Sequence, residues 1–170
     1  HIAPDGKFIL FSSNRPGSLK NSTAVKPSFD IYFSEKTAGG WTKPELLFGA
    51  VNTRDDEFYP SITKNGKLLH ITRSRYNDSS RTTIVKVYYS NDAWEDVSTA
   101  EISRNIDYDI YMYTKSLFRS GSYISGFKKG VSTSRDIFYS DDPGNKITEL
   151  TGSPGPVNTA SDEISVTELS

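Results

Sequence analysis

An all-β fold, a partial β-propeller of about three four-stranded antiparallel blades, is predicted by three observations in this 170-residue chain. An aromatic segment recurs as Asp30-Ile-Tyr-Phe-Ser34, Lys86-Val-Tyr-Tyr-Ser90 and Asp136-Ile-Phe-Tyr-Ser140, the first and last 106 residues apart. Trp41, Trp94 and Ile147 follow these segments at intervals of 53. Asp5-Gly6, Asn65-Gly66 and Ser120-Gly121 are turn signals, each opening an apolar stretch, and Asp-Gly and Asn-Gly supply the positive φ of tight hairpins. Four antiparallel strands in about 53 residues, written out repeatedly, are the pattern of propeller blades.

The elements follow in order. The first repeat, residues 1–52, has a strand at Phe8–Phe11 and the alternating strand Phe29–Phe33. The second, residues 53–104, has Phe58–Ile62, then Lys67–Thr72 after the Asn-Gly turn, then Thr83–Ser90, then a short edge at Trp94–Val97. The third, residues 105–158, keeps Tyr123-Ile124 and Asp136–Ser140. Residues 159–170 read as the first strand of a further or split blade. Aromatic and β-branched residues suit pleated surfaces covered on both sides, as stacked blades require. The best helical window, Ala93–Ile102, lacks a stable apolar stripe. Long polar loops are expected at Asn14–Ser28 and Ser74–Arg81, where binding on a rigid β scaffold usually resides.

A chain of this size can bury one sizeable core. A net charge of −1 gives no field for nucleic acid or an anionic membrane. No run of 18 apolar residues is present, so no transmembrane helix is expected. Cysteine is absent, which excludes disulfides and thiolate metal sites. It fits either a reducing compartment or an exported bacterial protein without disulfides. The sequons at Asn21 and Asn77 read as chance matches in a Ser/Thr-rich chain.

Candidate chemistry is sparse. Of the two histidines, His1 is terminal and His70 lies in the apolar strand Leu68–Ile71, which reads as a packed histidine. No nucleophile elbow, phosphate loop, His-Glu-x-x-His or EF-hand motif occurs, and no catalytic residue is assigned. The acids Asp55, Asp56, Glu57, Asp107, Asp109, Asp141, Asp142, Asp162 and Glu163 recur at strand starts and turns, which suits hydrogen bonding to backbone N–H groups. No cofactor is expected. If Ca²⁺ binds, the places for it are the acidic pairs Asp56, Glu57 and Asp162, Glu163. Arg15 and Arg75 each lie nine residues beyond a turn glycine. With Arg73 and Tyr76 they form the candidate partner-binding set, although pairing of the arginines with the acidic loops is the preferred alternative. Tyr108 and Tyr111 are further aromatics for stacking on sugar or peptide.

The run His1-Ile-Ala-Pro-Asp-Gly-Lys-Phe-Ile-Leu-Phe-Ser-Ser-Asn-Arg-Pro-Gly17, followed by Asp30-Ile-Tyr-Phe-Ser34, resembles the TolB-type, WD-like propeller repeat. Gly40-Trp-Thr-Lys-Pro44 and Val51-Asn-Thr53 with Asp56-Glu57 look like the linkers between blades in exported members. The second repeat departs at Asn65-Gly66, Thr72–Arg75 and Lys86-Val87, and the third keeps little beyond Asp136–Ser140. The resemblance implies turns and blade packing and no shared catalytic set. It also implies a periplasmic, outer-membrane-associated or secreted location, some members being fused to outer-membrane-protein-A-like domains.

Thr159–Ser170 resembles a first strand without its blade, and His1–Phe11 a second strand without its first. The break therefore falls inside a blade, and the chain looks like an excised or processed piece. The expected partners are missing blades from a longer chain or a second copy that completes a C2-symmetric ring, together with a protein ligand. Three functional readings follow. The first is a noncatalytic protein-binding module. The others are a carbohydrate-binding or glycoside-hydrolase-like propeller and the accessory propeller of a peptidase. Two opposed carboxylates in the central channel would favour a glycosidase; a lining of Ser, Thr and Arg would favour binding.

Overall fold

A computed structural model describes residues 1–19, 27–75, 78–100, 102, 107–131, 133–141, 146–150, 157–159, 161–164 and 166. The protein is a partial propeller of three antiparallel sheets. In the first, β1 (Phe8–Ser13) pairs with β2 (Asp30–Thr37), whose other edge carries the short β3 (Gly40–Trp41) and β4 (Glu45–Leu46). The second runs β5 (Asp56–Ile62), β6 (Leu68–Arg75), β7 (Asp78–Ser90), β8 (Ala93–Thr99). The third runs β9 (Tyr108–Lys115), β10 (Ser122–Lys128), β11 (Asp136–Ser140), β12 (Ile147–Glu149). No described helix is long and apolar enough to cross a membrane.

Two apolar layers lie between the sheets. Leu10, Ile31, Leu47 and Val51 pack against Ile62, Leu69, Ile71, Val85, Val87 and Trp94 between the first and second sheets. Ile84, Ala100 and Ile102 pack against Ile110, Tyr113, Ile124 and Phe138 between the second and third. Val85 and Ile84 are neighbours in β7 that serve opposite layers. Both faces of this strand are covered, which explains its near-continuous apolar stretch.

The aromatic segments are β2, β7 and β11, each the third strand of a blade. The turns before β1 and β6 hold Gly6 at φ 69° and Gly66 at φ 70°. Ser120-Gly121 differs: it closes a longer connection in which Ser116 Oγ accepts from Phe118 N (3.2 Å) and Arg119 N (2.8 Å). The predicted loop 74–81 is largely strand. β6 extends through Arg75 and β7 begins at Asp78, with Arg73 opposite Thr83 and Ser74 opposite Thr82. Its polar composition reads as loop, yet cross-strand pairing of β-branched threonines sustains a ladder. The weak helical window is β8, joined to β7 by Asn91 and Asp92 at φ 50° and 59°, a primed hairpin turn.

Among the described residues no full strand precedes β1 in the first sheet. His1–Ala3 folds back as a stub: His1 N and Leu10 O are 2.8 Å apart, as are Leu10 N and His1 O, and Ala3 N reaches Phe8 O at 2.9 Å. Trp41 and Trp94, equivalent in sequence, differ in burial. Trp94 is covered because the linker after the first sheet crosses it: Ala50 N donates to Trp94 O at 2.7 Å. Gly49 sits there at φ +90°, and a Cβ on it would lie 2.4 Å from Trp94 O. Gly49→Ala therefore meets both a left-handed backbone and a rigid carbonyl, and is expected to cost about 2 kcal/mol or more. Urea unfolding monitored by tryptophan fluorescence checks this.

Candidate functional site

The acidic pairs belong to two repeated clasps. In the first, the Asn52 side chain closes on β2: Ile31 N donates to Oδ1 (2.6 Å), and Nδ2 donates to Ile31 O (2.9 Å) and Leu47 O (3.0 Å). Thr53 Oγ1 donates to Glu57 Oε1 (2.6 Å) and accepts from Asp55 N (3.1 Å). Asp56 Oδ1 takes Phe29 N (2.8 Å), and Glu57 N donates to Phe29 O (2.7 Å). The second clasp repeats this 106 residues later. Ile137 N donates to Asn158 Oδ1 (2.7 Å) and Asn158 Nδ2 to Ile137 O (2.9 Å). Thr159 Oγ1 donates to Glu163 Oε1 (2.6 Å) and accepts from Ser161 N (3.1 Å). Asp162 Oδ1 takes Arg135 N (2.8 Å), and Glu163 N donates to Arg135 O (2.8 Å).

An amide side chain that both accepts from and donates to one residue imitates a neighbouring strand. Asx geometry of this kind suits a short linker leaving a sheet edge. The acids then satisfy the N–H groups where the third strand begins. Among the described residues no group of three or more His, Asp or Glu converges as a cation site.

The two clasps differ in one respect. Glu57, fully buried, also accepts from Thr53 N (3.1 Å) and Arg73 Nε (2.8 Å), while Arg73 Nη2 donates to Val51 O (3.0 Å). Burial pushes the Glu57 carboxyl up to about 7, against the pull of the Thr53 and Arg73 donors. Glu163 Oε2 is buried with no hydrogen-bond partner.

The predicted binding residues separate. Arg15 is held over Phe11 (4.9 Å to the ring centroid) and Tyr32 (4.8 Å), with Nε donating to Ser13 Oγ at 3.1 Å. Arg73 belongs to the first clasp. Tyr76 lies outside the described residues. Arg75 is exposed at the end of β6 and lines a cleft of about 340 Å³ with Asp55, Arg73, Thr83, Val85, Val97, Ser98 and Thr99. The structure thus brings Arg73 and Arg75 together and leaves Arg15 on another sheet. Tyr111 is stacked under the Arg135 guanidinium at 4.3 Å, and Tyr108 packs on Phe138. His70 is buried against the Tyr113 ring, 4.6 Å between centroids. Asp30, equivalent in sequence to Asp136, anchors the chain leading into β2: Leu19 N donates to Oδ2 (2.5 Å) and Ser28 Oγ to Oδ1 (3.1 Å), while burial raises its pKa.

A second cavity, about 320 Å³, lies where the innermost strands converge. Leu10, Phe11 and Ser12 of β1, Tyr59–Ser61 of β5 and Met112–Thr114 of β9 line it together with His1 and Val166. Ser61 and Thr114, 53 residues apart, share a 2.6 Å hydrogen bond. Tyr59 is held at φ 49° in a bulge of β5. Sequence reasoning did not single out this lining. The 53-residue spacing of Ser61 and Thr114, equal to that of Trp41 and Trp94, is the signal that would have found it.

No family model matches the chain, and no curated protein matches its sequence. Among solved structures it is similar to the crystal structure of TolB from Acinetobacter baumannii, at 20% identity and a TM-score of 0.50. The match covers 88% of this chain and 31% of that one. The likeness concerns the fold, and the chain spans about a third of that structure's length.

Proposed function

We propose that this chain forms part of a noncatalytic propeller module that binds protein in the bacterial envelope or extracellular space. The observation that carries this reading is the cleft at Arg75. Arg15 and Arg73 are held by aromatic rings and by the first clasp, whereas the Arg75 guanidinium has no ion-pair partner among the described residues. The hydroxyls of Thr83, Ser98 and Thr99 and the carboxylate of Asp55 line the same cleft. An arginine fork beside hydroxyl donors suits a carboxylate on a peptide segment. The cavity where the inner strands converge adds hydroxyls of Ser12, Ser61 and Thr114 and aromatic rings, beside His1, Leu10, Pro60, Met112 and Val166, as a second surface for a peptide. The envelope location rests on the likeness of the first repeat to exported propeller proteins.

Fluorescence anisotropy with acidic peptides and their Gln/Asn counterparts tests the proposal. Acidic peptides should bind better, and Arg75→Ala should weaken that binding about tenfold, the worth of one charge-assisted hydrogen bond, without moving the melting temperature. Equal binding of acidic and amide peptides would overturn it, as would turnover of glycoside or peptide substrates by the purified chain.

A further inference from the structure

We infer that the Arg75 cleft takes an extended peptide of fixed charge order: one acid at Arg75, an aliphatic residue about three positions away at Val97, and a base beyond it. The inference rests on the carboxylate reading of that cleft and adds what the rest of the peptide must carry. All the described walls of the cleft come from the middle sheet and the linker leading into it, far from either end of the chain.

The cleft runs across the strands. Arg75 ends β6, Thr83 and Val85 lie on β7, and Val97 lies on β8, the outer strand. Val85 is buried, whereas Val97 is 41% exposed. A bulge explains this exposure. Lys86 pairs with Ser98 and Tyr88 with Glu95, so Asp96 and Val97 together stand opposite Val87. Asp96 is held there at φ 52°. Bulges re-aim side chains, and a bulged edge carrying charges resists the pairing of a further strand. The peptide therefore crosses the strands and does not extend the sheet. From β6 to β8 is two strand spacings, about 10 Å, which about three extended residues span.

Charge sets the order. Glu95 and Asp96, both exposed, directly precede Val97, and Asp55 lines the linker side of the cleft. These carboxylates oppose a run of acids, so a single acid, placed at Arg75, is what the cleft accepts. A cation beyond the aliphatic residue meets Glu95 and Asp96.

Labelled peptides containing Glu-Ser-Ser-Leu-Lys are the probe, titrated against the intact chain by fluorescence anisotropy. Replacing the peptide's Leu by Ser should weaken binding about tenfold, as should Val97→Ser in the protein. The two changes together should weaken it no further than either alone, because they remove the same contact. Exchanging the charges, as Lys-Ser-Ser-Leu-Glu, should weaken binding at least about tenfold. Two results would overturn this inference alone, with the Glu peptide still binding better than its Gln form: equal binding of the Leu and Ser peptides, or equal binding of the two charge orders. Equal binding of the Glu and Gln forms would overturn the carboxylate reading and this inference with it. All three comparisons use the wild-type chain, so they hold even if Val97→Ser disturbs β8.

Discussion

Replacing Arg73 by Ala is expected to destabilise the chain by about 3 kcal/mol at neutral pH, because Glu57 must then take up a proton to stay buried and two buried acceptors lose their guanidinium donor. Glu57 is 0% exposed and would keep only the Thr53 donors. Val51 O would lose its guanidinium as well. Arg73→Lys should recover part of the loss, because an ammonium cannot span both acceptors as the planar fork does. The double change Glu57→Gln/Arg73→Met removes both charges together and should be far milder than Arg73→Ala.

The same pair sets a pH signature. The Glu57 carboxyl lies at about 7 in the fold against an ordinary value of 4.5. The folded chain therefore holds a proton that the unfolded chain releases between these values. Its contribution to stability is complete below about 4.5 and is lost as the pH rises through about 7. Chemical denaturation across pH 4–8 should show this slope in the wild type. Glu57→Gln should flatten it, and Arg73→Ala should extend it to higher pH by removing the cation that opposes protonation.

The second large effect is expected at Asn52. Truncation to Ala deletes one acceptor and two donor contacts on Ile31 and Leu47. Ile31 O keeps Leu47 N, but the Ile31 N–H is left in a layer where its residue is 0% exposed. At about 1–3 kcal/mol for each buried group left unpaired, the loss is about 3 kcal/mol. For a chain of this length that lowers the melting temperature by about 10 °C. Asn52→Asp should be nearly as damaging, because a carboxylate accepts from Ile31 N but cannot donate to Ile31 O or Leu47 O. Differential scanning calorimetry of the two variants checks both expectations.

The architecture was legible where sequence and geometry share a period. Blade stacking covers both faces of the third strands, so β2, β7 and β11 stand out as near-copies in an otherwise polar chain. Asn-Gly and Asp-Gly fixed two turns because only left-handed residues fit there. The loop read at 74–81 failed because Ser74, Arg75 and residues 78–81 are all polar, and a strand paired beyond the core does not need apolar residues. The unequal burial of Trp41 and Trp94 was hidden for another reason. It depends on which linker crosses the blade, and that linker's conformation turns on Gly49.

The site was legible in part. Recurrence of Val-Asn-Thr and of the acidic pair 106 residues apart showed that these residues serve two equivalent linkers, and the reading that acids bond backbone N–H groups describes Asp56 and Asp162. The partner of Glu57 was not readable. Arg73 and Arg75 are two residues apart on one strand and therefore share a face, yet one is consumed by a clasp and the other reaches the cleft. Only the register of β6 against β5 separates them.

Central to this account is that Asn52 and Asn158 act as surrogate strands holding the third strand of a blade. Hydrogen exchange of side-chain amides by NMR tests this without any mutation. The Nδ2 protons of Asn52 and Asn158 should exchange at least about 100-fold more slowly than those of exposed Asn65, the factor that about 3 kcal/mol of protection gives. Exchange of all three at one common, unprotected rate would contradict it.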